Sequence, residues 1–443
     1  MDSVAAILLS RDIRGSATIY ERYERCAIDD KSGIMTPRRA VANELPQQDA
    51  RLPSDELLGW LALKLTEGLG PKRIWAVVQA LGSAEAALHA ALTALEGTGL
   101  PASAAQAVHS GASRRKAEDE WKLAVDAGAR IIVPTDDVYP QRLLEIYDPP
   151  VVLWCMGDAG LLGLPGIAVV GTRQPTPYGS GMARMMSRDL AARGLVILSG
   201  MARGVDTSAH EGALEAHGKT VAVWGTGVDV IYPKENKQLA QRILAEGGAI
   251  LSEFPMATFP APQNFPIRNR ILSGMSVGVL VVEAGENSGT RITARCALEQ
   301  NREVFAIPGN VTNKQSWGPN TLIKQGAKLT ATWEDVWEDL PTPVRLQVEN
   351  GLAGTQGSSE GDASENESNG SAAASLYQPA LELPPHEAAV YAKLRKDETT
   401  QLDELIEALG AELSSSEIFA ALFELELAGR VRMMPGKNYV KSF

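Results

Sequence analysis

Between Gly166 and Thr332 the chain repeats one pattern. Short apolar runs recur at Ile167–Val170, Val196–Ser199, Thr220–Trp224, Ala249–Ser252, Val277–Val282 and Glu303–Ile307. They are often β-branched and show no polar alternation. Runs of that length mark strands covered on both faces, as in a parallel sheet. Between them, apolar residues at helical spacing predict helices over Gly181–Arg193, Thr207–His217, Asn236–Glu246 and Arg291–Asn301. Strands alternating with helices predict an α/β fold with a doubly wound parallel sheet. Ligands of such sheets bind beyond the carboxyl ends of the strands.

The flanks have other periods. Leu57, Trp60, Leu61 and Leu65 recur at helical spacing after Ser54, a helix start. Gly68 and Gly70 then flank a leucine, with Pro71 at the first turn of the next helix. This segment resembles a helix-hairpin-helix, which offers backbone N–H groups to a DNA phosphate, and Lys72 and Arg73 stand beside it. A plain αα-hairpin fits the same residues. An alanine-rich helical pair is predicted from Ala84 to His109, a helix over Arg115–Gly128 and a short strand over Arg130–Val133. Asp148-Pro149-Pro150 then enforces extended geometry before Val151–Trp154.

Downstream, Arg345–Gln378 is of low complexity and predicts a disordered linker. Helical patterns over His386–Leu394, Leu402–Leu409 and Ser414–Ala428 follow. Val431–Met434, a Pro435-Gly436 turn and Tyr439–Val440 then read as a hairpin, completing a winged-helix pattern. Met1–Asp49 reads as a flexible extension. Its apolar patch Val4–Leu9 lacks the basic lead and small-residue exit of a signal peptide, and Met35 is a candidate alternative start. The expected organisation is an extension at 1–50, a helical domain at 51–112, an α/β domain at 113–340, an acidic linker at 341–380 and a winged helix at 381–443.

Charge changes this picture only when divided by region. The formal charge of −12 disfavours a polyanionic partner. Gly166–Leu340, however, holds 17 Lys and Arg against 16 Asp and Glu, whereas Arg345–Glu382 holds 1 against 6. A basic cleft in the central domain is compatible with those counts. The 3 cysteines are far apart, without a C-x-x-C pair, which excludes a disulfide scaffold and a thiolate zinc site and fits a reducing cytoplasm. No apolar run reaches the ~20 residues of a spanning helix.

Candidate chemistry gathers at the predicted strand ends. Gly171, Thr172 and Arg173 end the first strand, before a helix expected near Tyr178. Free N–H groups, a helix dipole and a guanidinium together predict an anion site. The spacing is neither G-x-G-x-x-G nor a Walker A loop, so no dinucleotide or ATP cofactor is expected. Gly200 and Gly204 bracket Arg203 after the second strand. Asp206 reads as a cap for the next helix, with His210 packed on its face. Phe265 precedes Arg268, Asn269 and Arg270, a set suited to phosphate grip and base stacking. Ser288, Gly289 and Thr290 open a further helix, another candidate phosphate cradle. No Ser-His-Asp order, paired carboxylates or activated cysteine stands out, so no catalytic residue is assigned.

These motifs, in the order G-T-R…Y-G, S-G-x-A-x-G-x-D…A-H, F-P-x-R-N-R-I, E-A…S-G-T and A-I-P-G-N…G-x-N-x-L-I, resemble the DNA-processing protein A family (DprA, also Smf) from about Tyr139 to Trp337. The resemblance implies an extended Rossmann-like domain that binds single-stranded DNA in a basic pocket. It further implies a cytoplasmic homodimer that delivers incoming strands to the RecA recombinase in natural transformation. Helical N-terminal and winged-helix accessories accompany it. The motif arginines fall on Arg173, Arg203, Arg268 and Arg270. A lysine that some members carry upstream of F-P-x-R-N-R is absent from Pro260-Ala-Pro-Gln-Asn. A second class is a Rossmann-like nucleotide-binding or nucleoside-monophosphate N-glycosidase enzyme with a P-G-G-x-G-T-x-x-E signature. Here Thr293 stands at its glutamate position. The winged helix is acidic along Glu404–Glu426, with Arg430, Arg432 and Lys437 only near its wing, which suits a protein contact at least as well as a duplex grip.

Overall fold

The computed structural model describes residues 52–356 apart from 287, and 384–441 with breaks at 396–398, 411–412, 428–429 and 435–437. The predicted extension at 1–50, the linker from Gly357 to Gln378, the Pro435-Gly436 turn and Lys437 lie outside the described residues. Among the described residues six helices come first: α1 (Asp55–Lys64), α2 (Pro71–Leu81), α3 (Ala84–His89), α4 (Leu92–Gly97), α5 (Ala102–His109) and α6 (Ala112–Asp126). Ser54 caps α1, its Oγ accepting from Leu57 N at 3.2 Å, and Asp55 and Glu56 complement the helix dipole. The expected pair over Ala84–His109 is three short helices. Ala90 and Ala91 are extended, and Gly99 with Pro101 breaks the next turn.

Nine strands form one sheet: β1 (Arg130–Ile132), β2 (Leu153–Gly157), β3 (Gly166–Gly171), β4 (Val196–Ser199), β5 (Thr220–Trp224), β6 (Ala249–Ser252), β7 (Gly278–Val282), β8 (Glu303–Ala306) and β9 (Lys328–Leu329). Their order is β1-β2-β6-β5-β4-β3-β7-β8-β9. β1 and β2 run antiparallel to their neighbours, and the rest are parallel. α7 (Pro177–Ala191), α8 (Val205–Glu215), α9 (Lys237–Ala245), α10 (Asn264–Met275) and α11 (Thr290–Glu299) cross between strands, followed by α12 (Trp317–Lys324), α13 (Trp333–Asp339) and α14 (Thr342–Gln356). Alternate strand residues serve opposite faces. Ile167 and Val169 pack with α7, α8, α13 and α14, whereas Ala168 and Val170 pack with α10 and α11. Both faces are thus dry, which is why the strands read as unbroken apolar runs.

Helices lie at two of the predicted boundaries. Helix α6 begins at Ala112, where the expected helical domain ends, and it packs with the helices before it: the Thr66 and Ser113 hydroxyls pair at 2.7 Å. Trp60, Ile74, Val77 and Leu95 share one hydrophobic cluster with Trp154, Trp224 and Ile250 on the sheet. The helices therefore cap the β5–β6–β2–β1 half of the sheet. Part of the predicted linker is ordered as a helix. Thr342–Gln356 is helical, and Val344 and Val348, one turn apart, are buried against the α7–α8 face. A charge-and-glycine composition hides that two-residue stripe.

The C-terminal unit has α15 (Pro385–Lys393), β10 (Thr400–Gln401), α16 (Leu402–Leu409), α17 (Ser415–Leu427), β11 (Val431–Met434) and β12 (Asn438–Lys441). The strands pair antiparallel in the order β10-β12-β11. Val390, Leu405, Ile418, Leu422 and Val431 fill its core. This is the winged helix expected from the sequence.

Candidate nucleic-acid interface

The chain leaves β3 in one direction to build β4, β5 and β6, then returns to β3's other side for β7, β8 and β9. The switch point therefore lies above the carboxyl ends of β3 and β7, where a crevice is expected. The Gly171–Thr176 loop, the Gly200–Gly204 loop and Glu283 meet there. Thr172 N donates to Glu283 O at 2.8 Å, and Val205 N donates to Thr172 O at 3.2 Å. Gly204, at φ +80°, lets these loops touch: a Cβ there would lie 2.6 Å from Thr172 O and from the Pro175 ring.

At two of the loops predicted to hold an anion, carboxylates of the chain itself take the donors. Thr176, not Tyr178, leads α7 as its cap. Glu283 accepts from Thr176 N at 2.8 Å and from Thr176 Oγ1 at 2.5 Å, so it occupies the helix N-terminus that the sequence offers to a phosphate. Glu283 is buried at φ +46°, and burial pushes its carboxyl upward against the Thr176 hydrogen bonds. Asp206 likewise reaches back from the first turn of α8 and accepts from Gly200 N (3.1 Å) and Ala202 N (3.2 Å). It holds the loop carrying Arg203 rather than capping the helix. Burial raises its carboxyl, while Arg268 and those two N–H groups oppose the rise. His210 is fully buried, bonds to Thr220 Oγ1 at 2.7 Å through Nδ1, and is held neutral by burial to about 3.

The R-N-R motif lies on α10, and its arginines point into the protein. Arg268 is buried. Its guanidinium donates to Gly200 O (2.8 Å) and Val223 O, tying the ends of β4 and β5 together. Burial lowers its pKa, with Asp206 working the other way. Arg270, its side chain 11% exposed, pairs with Glu253 (2.5 Å) and Asp148 (3.1 Å), and Lys64 of α1 joins Glu253 at 3.3 Å. These two arginines are therefore not open to phosphate, contrary to the reading from residue type. Asn269 is half-buried and its Oδ1 accepts from Arg268 Nε at 3.2 Å. Ser288 Oγ accepts from Thr290 N at 3.2 Å and donates to Thr290 Oγ1 at 2.9 Å, so that turn closes on itself with Gly289 exposed. Thr293 is buried on α11 and offers a hydroxyl where the N-glycosidase signature has a carboxylate. In the N-terminal hairpin, Arg73 donates to Gly68 O at 3.0 Å and Lys72 Nζ sits 2.8 Å from the Tyr147 ring centroid, so both cations are engaged.

What stays open is a row of planar groups with cations around it. The exposed Arg173 guanidinium lies 5.7 Å from the Phe265 ring centroid. Phe265, seated against Gly225, lies 5.6 Å from Tyr232. Exposed Arg203 pairs with the equally exposed Glu235, a contact worth little in water, and Lys234 is exposed beside it. Sequence reasoning missed Tyr232 and Lys234. The available signal was Ile231-Tyr-Pro-Lys, an aromatic and a cation in the loop after the Thr220–Trp224 run.

A family model described as DNA recombination-mediator protein A matches residues 130–341, and one described as DprA winged helix domain matches 374–437. The Smf protein of Escherichia coli K12 is 41% identical over 316 residues, 70% of this chain and 77% of that protein. The Smf protein of Synechocystis is 34% identical over 404 residues, 88% of this chain and 99% of that one. The crystal structure of DNA processing protein A from Streptococcus pneumoniae superposes with a TM-score of 0.57 at 34% identity, covering 65% of this chain and 99% of that chain. With both domain models matched in this order and relatives 34–41% identical over most of their length, this chain belongs to the DNA recombination-mediator protein A (DprA/Smf) family.

Proposed function

We propose that this protein binds single-stranded DNA along the carboxyl edge of its parallel sheet. It protects the strand and passes it to RecA recombinase during recombination and natural transformation. It works in the cytoplasm as a homodimer, without a cofactor and without catalysis. The observation that carries this reading is the open Arg173–Phe265–Tyr232 row, with Arg203 and Lys234 beside it, at the switch point. Guanidinium and ammonium groups near the exposed Tyr232 ring and the half-buried Phe265 ring suit phosphates and unstacked bases together. A duplex needs an element shaped for its groove, and this edge presents loops.

Family membership supports the recombination role. The Gly171–Thr176 and Gly200–Gly204 loops contribute by placing Arg173 and Arg203. Glu283 and Asp206, as internal anions, keep the crevice from taking a free nucleotide phosphate. Binding of this kind is electrostatic, so log affinity falls linearly with log salt. Filter binding of a labelled oligonucleotide across a salt series tests it. The slope should fall by about 0.7 for Arg173→Ala and again for Arg203→Ala, if each neutralises one phosphate of a single strand. Slopes that match the unaltered protein contradict the assignment.

A further inference from the structure

Tyr232 is the outermost member of the open row. We infer that its exposed ring is a nucleobase platform, a stacking position beside Phe265 that takes an unstacked base of any identity. The inference rests on the reading of the protein as a single-stranded DNA binder.

The loop from β5 to α9 is built to present this one ring. Val228, Val230, Ile231 and Pro233 are buried around it, while Tyr232 is 41% exposed. The loop is pinned along its length. Thr226 Oγ1 donates to Val230 O at 2.7 Å. Ala257 N donates to both Asp229 oxygens, at 2.8 and 3.0 Å. Asn236 Nδ2 donates to Met201 O at 2.8 Å and to Thr207 Oγ1 at 2.9 Å, which fixes the loop to the segment carrying Arg203. Phe265 backs the ring at 5.6 Å with planes inclined 39°. A ring already held by its neighbours loses little freedom when a ligand arrives.

The surroundings select the ligand class. Arg173 lies 5.7 Å from Phe265, the ring that backs Tyr232, exposed Lys234 follows two residues on, and Arg203 pairs with Glu235 in the same loop, so the partner carries anions next to a planar apolar group. A nucleotide within a single strand fits both. Stacking on one ring face does not discriminate bases, because every base has a π-face.

The test compares a labelled oligothymidylate with an abasic strand of equal length, using the full chain. Tyr232→Ala should weaken the oligothymidylate roughly tenfold, leave the abasic strand unchanged, and leave the salt slope unchanged. Tyr232→Phe should bind like the unaltered protein. Arg173→Ala should weaken both strands and reduce the slope. A Tyr232→Ala loss under about twofold, or an equal loss on both strands, overturns the platform. If Arg173→Ala still responds as stated, the single-strand reading survives that result. A Tyr232→Phe variant as weak as Tyr232→Ala would assign the effect to the hydroxyl and also overturn stacking. Failure of the unaltered protein to bind either strand overturns both the platform and the reading beneath it.

Discussion

Arg173 and Arg268 face the same strand ends with the same charge, yet their surroundings give them different work. Arg268 satisfies two carbonyls and balances Asp206 inside the protein. Arg268→Ala should cost about 3–5 kcal/mol of stability, because it leaves a buried charge and buried acceptors unpaired. Arg173→Ala and Arg203→Ala should change stability by less than about 0.5 kcal/mol while weakening DNA. Urea unfolding beside oligonucleotide titration separates the two effects. Normal stability of Arg268→Ala would contradict its role as a tie. The R-N-R pattern is legible in the sequence, but residue type does not say whether a guanidinium ends in solvent or under two carbonyls. Likewise, the start of α7 read as an anion site. The acid that fills it, Glu283, lies 107 residues away, and nothing local to the helix signals it.

At the scale of elements, helix α6 meets the loop after β6 through one buried acid. Glu120 Oε1 accepts from Met256 N at 2.7 Å. Burial raises its carboxyl to about 7, with Asp229 adding to the rise. The folded state then holds a proton that the unfolded state, near 4.5, releases earlier. Stability therefore falls as pH rises from about 4.5 to about 7, and above that the whole penalty, roughly 3 kcal/mol, is present. Glu120→Gln keeps an acceptor for Met256 and should flatten the stability profile across this window, raising stability at pH 8. A profile as steep as that of the unaltered protein would show that the acid does not titrate there. Strands and crossover helices were legible because both sheet faces are covered and the apolar runs are unbroken. The α14 helix was not, because its buried stripe is Val344 and Val348 within a polar composition.

Across the whole molecule, the helical domain, the sheet and the winged helix differ in how they are joined. The first two share one core, so the helices are a cover for the sheet rather than an appended module. The winged helix has its own core, and α17 carries Glu417, Glu424 and Glu426 with no Lys or Arg. Phe419 and Phe423 are exposed on that helix. A helix of this charge repels a phosphate backbone, so removal of residues 384–443 should leave single-strand affinity within about twofold. A large loss would move the DNA site to the tail. The central claim is that the sheet edge grips single strands through Arg173, Arg203 and the ring row. The most direct measurement is the affinity of the full chain for single-stranded and duplex oligonucleotides of equal length, across a salt series. Tighter binding of the single strand at every salt concentration, falling steeply as salt rises, is the predicted result; equal or tighter binding of the duplex, or a flat salt response, would contradict it.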